Sequence, residues 1–254
     1  MLVKGVFVSN LLRLILSVTA SVVMLSANAA ETIVLDAANP PFMYDKNGSP
    51  AGVYPALFAA AFAKMGTDAK LEAKSWSNAL AELDGGKVGV GGIYKNADRV
   101  KKFDFSEPIF VEKLIVYTNK SKPLAFKSAN DLKGSVVGVI RGWSYGDDFD
   151  NVRKTGGVKV EEAADDAQNL EKLNAGRLDA VIAVEEAGTA LLKTGAFPNV
   201  VASATPLATN AAHLAFNKAA RKADLLAKFS ATISQMKKSG EYAKVVDQAL
   251  ADGK

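Results

Sequence analysis

The sequence predicts an α/β fold built as two lobes. Three observations carry that prediction. Short apolar runs alternate with helical patterns along the chain from Thr32 onward. The alternation starts afresh after Lys120. The chain has 254 residues, 49% hydrophobic and 23% charged, which is enough for two lobes of about 100 residues, each with its own core. Strands that alternate with helices pair mostly in parallel and are covered on both faces.

Taken in order, Thr32–Leu35 reads as a strand. Phe42-Met43-Tyr44 and Ala51-Gly52-Val53 flank Asn47-Gly48, a hairpin signature. Pro55 suits the first turn of a helix that runs to Met65 and stops at Gly66. A strand near Leu71, a helix from Ser77 to Leu83 and a strand near Val88–Gly91 follow. Val111–Tyr117 is a further strand. The second series comprises strand Val136–Ile140, helix Tyr145–Arg153, strand Val158–Val160 and helix Asp166–Ala175, stopped by Gly176. It continues with strand Leu178–Val184 and helix Glu185–Leu192. The tail gives strand Ala212–Phe216 and helices Ala223–Met236 and Glu241–Ala251. There is no internal repeat, low-complexity tract or long linker, so the lobes are expected to be joined by extended crossings.

Composition excludes several classes of function. With no cysteine there is no disulfide scaffold, thiolate metal site, iron–sulfur cluster or cysteine nucleophile, and a single histidine rules out multi-histidine metal sites. No cofactor or metal is expected. The 31 basic residues are dispersed among 27 acidic ones, so the basic balance does not form a nucleic-acid footprint. Residues 1–29 have the order of a secretory signal: Lys4 and Arg13, an apolar run from Leu14 to Leu25, then Ala27-Asn28-Ala29. That run is far shorter than the roughly 20 residues a membrane span needs. The expectation is a soluble exported protein cleaved after Ala29.

Three stretches bear a resemblance. The first is Asn39-Pro40-Pro41-Phe42, the hairpin and Gly52-Val53-Tyr54-Pro55. The second is Gly91-Gly92-Ile93-Tyr94-Lys95-Asn96-Ala97-Asp98-Arg99, continuing to Phe103-Asp104-Phe105-Ser106-Glu107-Pro108. The third is Asp131-Leu132-Lys133-Gly134 with Val137-Gly138-Val139, and then Gly176-Arg177-Leu178-Asp179-Ala180-Val181. Together they resemble the periplasmic solute-binding proteins of ABC importers, the polar amino-acid family (bacterial extracellular solute-binding protein family 3). The resemblance runs through nearly all of the chain after residue 29. It implies the two-lobed periplasmic-binding-protein (flytrap) fold with two crossings between lobes: lobe I from 30–117 and 210–254, lobe II from 118–209. It also implies a monomer in the periplasm that binds a small carboxylate ligand, an amino acid or a relative, and hands it to an inner-membrane ABC permease.

The same resemblance assigns roles. Arg99 becomes the carboxylate clamp, its planar fork of donors suited to a bidentate pair. Gly92 and Tyr94 match positions that donate to the ligand, with Tyr94 where a Ser or Thr is usual. Trp76 is either a pocket wall or a core residue. Asn39 stands where an aromatic commonly stacks on the ligand, and Phe42 is read as core below it. In lobe II the segment Gly142-Trp143-Ser144-Tyr145 matches the glycine–hydroxyl turn at a helix start, so Trp143 and Ser144 join the list. Arg141 either meets a second anionic group or lies on the surface. The acid that normally accepts the ligand's α-ammonium falls at Val184; either Glu185 replaces it or the ligand carries no ammonium there. Asp179 is read as structural.

Two enzymatic readings compete. Gly142-Trp143-Ser144-Tyr145-Gly146 is a literal G-x-S-x-G with Asp179 and His213 downstream in triad order. Against it, His213 falls in an apolar strand run. Some proteins of this fold resemble importers' binding proteins but act as cyclohexadienyl dehydratases, for which Glu185 is the candidate acid. A ligand-sensing adaptor is a third alternative.

Overall fold

The computed structural model describes residues 30–252. The expected leader at 1–29 lies outside them. Lobe I opens with β1 (Glu31–Asp36), a hairpin of β2 (Ala38–Asn39), β3 (Met43–Lys46) and β4 (Ser49–Ala51), and helix α1 (Val53–Met65). Asn47 and Gly48 both take positive φ, 58° and 82°, as the primed turn at the hairpin tip requires. Gly66 ends α1 in the left-handed conformation. Next come β5 (Ala69–Lys74), α2 (Trp76–Asp84), β6 (Gly89–Tyr94), the single turn α3 (Arg99–Lys102) and β7 (Phe103–Phe105).

The long strand β8 (Phe110–Asn119) leads to the second series. This contains β9 (Val136–Ile140), α4 (Asp147–Lys154), β10 (Lys159–Ala163), α5 (Asp166–Asn174), β11 (Ala180–Val184) and α6 (Glu185–Lys193). The 18-residue strand β12 (Val200–Asn217) returns, and α7 (Ala223–Ser239) and α8 (Glu241–Asp252) close the chain on α1.

Apart from β2-β3-β4, which form a small sheet of their own, the strands follow one path, β10-β9-β11-β8-β12-β6-β1-β5, with β7 added on β12. The parallel trio β5-β1-β6 belongs to lobe I and the parallel trio β10-β9-β11 to lobe II. Between them run the two crossings, β8 and β12, paired antiparallel from Phe110 against Ala212 to Asn119 against Val200. The sheet is therefore mixed rather than largely parallel, because a chain that enters and leaves lobe II through strands must cross in opposite directions. The sequence marked only Ala212–Phe216 of β12. The preceding residues include Ser203, Thr205, Pro206, Thr209 and Asn210, which show no apolar alternation, and the ladder shifts register on both sides of Pro206.

In lobe I, α1 and α7 cover the sheet through the ring stack Phe58, Phe62 and Phe229, with centroids 5.2–6.5 Å apart. Phe42 lies buried against Tyr54 and Phe110, as a core residue. In lobe II, Leu170, Leu173, Leu178 and Val181 form a separate cluster with Tyr117. The larger cluster, by contrast, continues from Ile33 and Trp76 of lobe I to Trp143 and Phe149 of lobe II. Packing thus joins the lobes across their boundary. Among the described residues no helix is long and apolar enough to cross a membrane.

Candidate ligand-binding cleft

Parallel strands present their carboxyl ends to a common crevice, and loops there are free to carry function. In lobe I those ends are Asp36 on β1, the Ser75-Trp76 turn after β5, and Tyr94 on β6. In lobe II they are the Gly142–Tyr145 turn after β9, Asp166 beyond β10, and Val184 on β11. The two sets meet. Trp76 Nε1 donates to Gly142 O at 3.2 Å, and Trp143 Nε1 donates to Asp36 Oδ2 at 3.3 Å. The Trp143 ring packs edge-on against Trp76 and Tyr94, with centroids 6.2 and 6.0 Å away. At the rim, Lys154 of α4 pairs with Asp98 at 2.5 Å.

Arg99 spans this boundary. Asn96 Oδ1 accepts the Arg99 N–H at 2.8 Å and fixes the loop that carries it. The guanidinium donates to Tyr94 O at 2.9 Å in its own lobe and to Gly142 O at 3.1 Å in the other. It also lies over the Trp76 ring, 5.9 Å from the centroid. Burial pulls its pKa down to about 10, with Asp150 working in the opposite direction. A cavity of about 380 Å³ opens beside it, lined among others by Arg99, Trp143, Ser144, Arg153, Asp98 and Glu162.

Gly142 and Gly92 are glycines for a reason. Gly142 has φ +76°, and a Cβ there would come within 3.3 Å of Leu80 and 3.5 Å of Trp76 across the boundary. Gly92 has φ +80°, and a Cβ would lie 2.7 Å from the Met43 methyl and 3.0 Å from the Tyr54 ring.

Several side chains have partners that the sequence did not suggest. The Ser144 hydroxyl donates to Asp150 Oδ2 at 2.5 Å, and the Tyr145 N–H reaches Asp150 Oδ1 at 3.3 Å. The start of α4 therefore carries its own anion, which Arg153 also pairs at 3.3 Å. The Tyr94 hydroxyl donates to Glu112 of β8, as does the Tyr54 hydroxyl. Burial pushes the Glu112 carboxyl well above the usual carboxylate range and the Tyr94 phenol well above its own. Asn39 is buried, and neither of its amide atoms has a hydrogen-bond partner.

Two candidates stand apart. Arg141 is exposed and paired with Glu162 at 3.3 Å, while its main-chain N–H continues the β9–β10 ladder. Glu185 is half-buried at the start of α6 and paired with Lys113 at 3.3 Å. Asp179 accepts the Val136 N–H at 2.8 Å and pairs with Lys122, a structural use. The elements of a serine triad are not assembled. His213 is buried on β12 with Nδ1 against Ser106 O at 2.8 Å, and Ser144 is bonded to Asp150. Burial lowers the His213 pKa to about 4.

Sequence reasoning missed Asp36, Glu112, Asp166 and Arg153. Asp36 was detectable as the one charge ending the fully buried run Ile33-Val34-Leu35. Burial raises its pKa to about 6 against the bonds from Ala38 N–H and Trp143 that lower it. Asp166 and Arg153 resemble the acid and base that any helix carries in its first and last turns, and Glu112 looks like an outward strand position.

A two-lobed α/β molecule with paired crossing strands, its strand ends aimed into a shared cleft, is a periplasmic-binding-protein fold. The profile of the bacterial extracellular solute-binding proteins, family 3, matches residues 32–251, and the chain belongs to that family. It is 31% identical over 163 residues to the L-cystine-binding protein TcyJ of Escherichia coli strain K12. That match spans 63% of this chain and only 60% of the relative. Among solved structures, an ancestral arginine-binding protein bound to arginine superposes with a TM-score of 0.73 at 27% identity, covering 86% of this chain and 97% of that one. A histidine kinase sensor domain with similarity to periplasmic binding proteins reaches a TM-score of 0.76 at 24% identity, over 87% and 96%, a likeness of fold.

Proposed function

We propose that the protein captures an amino acid or a related small carboxylate between its lobes and delivers it to an inner-membrane ABC permease. It acts as a monomer in the periplasm after loss of residues 1–29. The lobes divide within β8 and β12, near residues 117/118 and 209/210. The observation that carries this reading is Arg99, a guanidinium of lobe I set in the boundary cavity against the Gly142–Ser144 turn of lobe II. Such a fork matches a carboxylate, and removing water on closure strengthens each charged hydrogen bond. The family and an amino-acid-binding relative such as the cystine protein support the same ligand class.

A thermal-shift screen of amino acids and dicarboxylates tests the proposal. A ligand at 100 times its dissociation constant stabilises by about 2.7 kcal/mol, a visible shift. Arg99→Ala, which leaves the ligand's carboxylate without its partner, then weakens the hit by about 3–5 kcal/mol, two to three and a half decades in Kd. Unchanged binding by Arg99→Ala removes Arg99 from the site. A screen in which no carboxylate compound raises the melting temperature rejects the function.

A further inference from the structure

The cleft has a second, acidic end. Asp166 is the first residue of α5, just beyond the carboxyl end of β10, where Ala163 accepts the Arg141 N–H next to the Gly142–Ser144 turn. It is 6% exposed, and its Oδ1 has no hydrogen-bond partner. An acid in a first helical turn is ordinary when it is solvated or caps the helix. Here that duty belongs to Asp165, which is half-buried and whose side chain accepts the Gln168 N–H at 2.8 Å. Asp166 is left as a buried carboxylate with no capping role, and an unpaired buried anion is costly.

Its surroundings add acid and hydroxyl groups rather than a cation. Burial raises the Asp166 pKa to about 7, followed by the charges of Asp165 and, from lobe I, Asp36. The charge of Asp166 in turn reaches Tyr94 of lobe I and Tyr145 and Tyr117 of lobe II. In lobe I, Asn39, 1% exposed on β2, also lacks partners for both amide atoms. Meanwhile Val184 offers no charge, and Glu185 is occupied at the surface by Lys113. Trp143 lines the arginine cavity and holds Asp36 through its N–H.

We propose that Asp166 receives a positively charged nitrogen of the bound solute, opposite in the cleft to the carboxylate end at Arg99. The inference rests on the reading that the cleft binds a small carboxylate, and it narrows that class to amino acids or other ligands carrying a cationic nitrogen. The nitrogen is an α-ammonium or a side-chain cation, and the arms of the test separate the two.

The experiment is calorimetric titration of the wild type and Asp166→Asn with L-lysine, L-arginine and L-cystine. Each is paired with its Nα-acetylated form, and L-norleucine serves as a lysine without its side-chain ammonium. The expected result is that Asp166→Asn weakens a bound amino acid about a hundredfold. The analogue that lacks the nitrogen read by Asp166 binds the two proteins equally. Equality for the acetylated form identifies the α-ammonium, and equality for norleucine the side-chain cation. Asp166→Ser replaces the asparagine variant if that one does not fold. If the wild type binds and the variants bind as tightly, or lose every probe and analogue alike, the assignment is overturned while the carboxylate-binding reading stands. If the wild type binds no probe or analogue, that reading fails and this inference falls with it.

Discussion

Trp143 is the residue on which the lobe-to-lobe contact most depends, so Trp143→Ala is the sharpest perturbation of closure. The indole makes two aromatic pairs with lobe I, to Trp76 and Tyr94, each worth about 0.5–1.5 kcal/mol. It also gives the Asp36 carboxylate a hydrogen bond, worth about 1.5–3 kcal/mol. The variant therefore shifts the balance between apposed and separated lobes by about 2.5–6 kcal/mol. That is roughly two to four powers of ten, more than the few kcal/mol that separate two such states. The assay is built in, because the sequence has only two tryptophans. In Trp143→Ala all indole emission comes from Trp76, which is buried under Trp143 and Arg99 while the lobes touch. The expected result is red-shifted emission together with a larger radius of gyration by small-angle X-ray scattering. Trp143→Phe, which keeps the ring and loses only the N–H, gives a smaller opening. A Trp143→Ala protein with wild-type emission and wild-type radius refutes the reasoning.

Three further outcomes follow from buried groups. Burial raises the carboxyls of Asp36 and Asp166 to about 6 and 7 and holds Glu112 well above the usual carboxylate range, so the folded protein binds more protons than the unfolded chain and loses stability as pH rises through that window. His213, lowered to about 4, works the other way as pH falls below 6.5. Urea unfolding of the ligand-free wild type is expected to show a net loss between pH 5 and 8, and Asp166→Asn, which keeps Asp36 and Glu112, a smaller one; equal slopes contradict the burial of Asp166. Glu112→Gln, which resembles the protonated acid, keeps stability within about 1 kcal/mol. Glu112→Leu strands two buried tyrosine hydroxyls and costs about 2–6 kcal/mol in the same assay, and equal midpoints for the two variants reject the network. Gly92→Ala forces φ +80° on a residue with a Cβ and drives that atom into Met43; it is expected to cost about 2–5 kcal/mol, and a wild-type melting temperature contradicts the geometry.

Local patterns made much of the architecture legible. The hairpin tip at Asn47-Gly48 and the end of α1 at Gly66 follow from backbone freedom alone, so they could be read residue by residue. Arg99 was legible because it sits within a continuous signature with Gly91-Gly92. The edge of β12 was not, since residues 200–211 become a strand only by pairing with β8. Nor were the partners of Tyr94 and Ser144, whose hydroxyls point to Glu112 and Asp150 rather than standing free.

What the sequence by itself determined is the two-lobed α/β class and the family, because each rests on periodicity, turn chemistry or contiguous residues. The tertiary structure alone decided the acidic end. Asp36, Glu112 and Asp166 lie on strands and a helix far apart in the chain, and each is an ordinary polar residue in its local context. Only tertiary packing buries each of them, and lost solvation raises all three carboxyl pKa values while Asp166 Oδ1 is left without a partner.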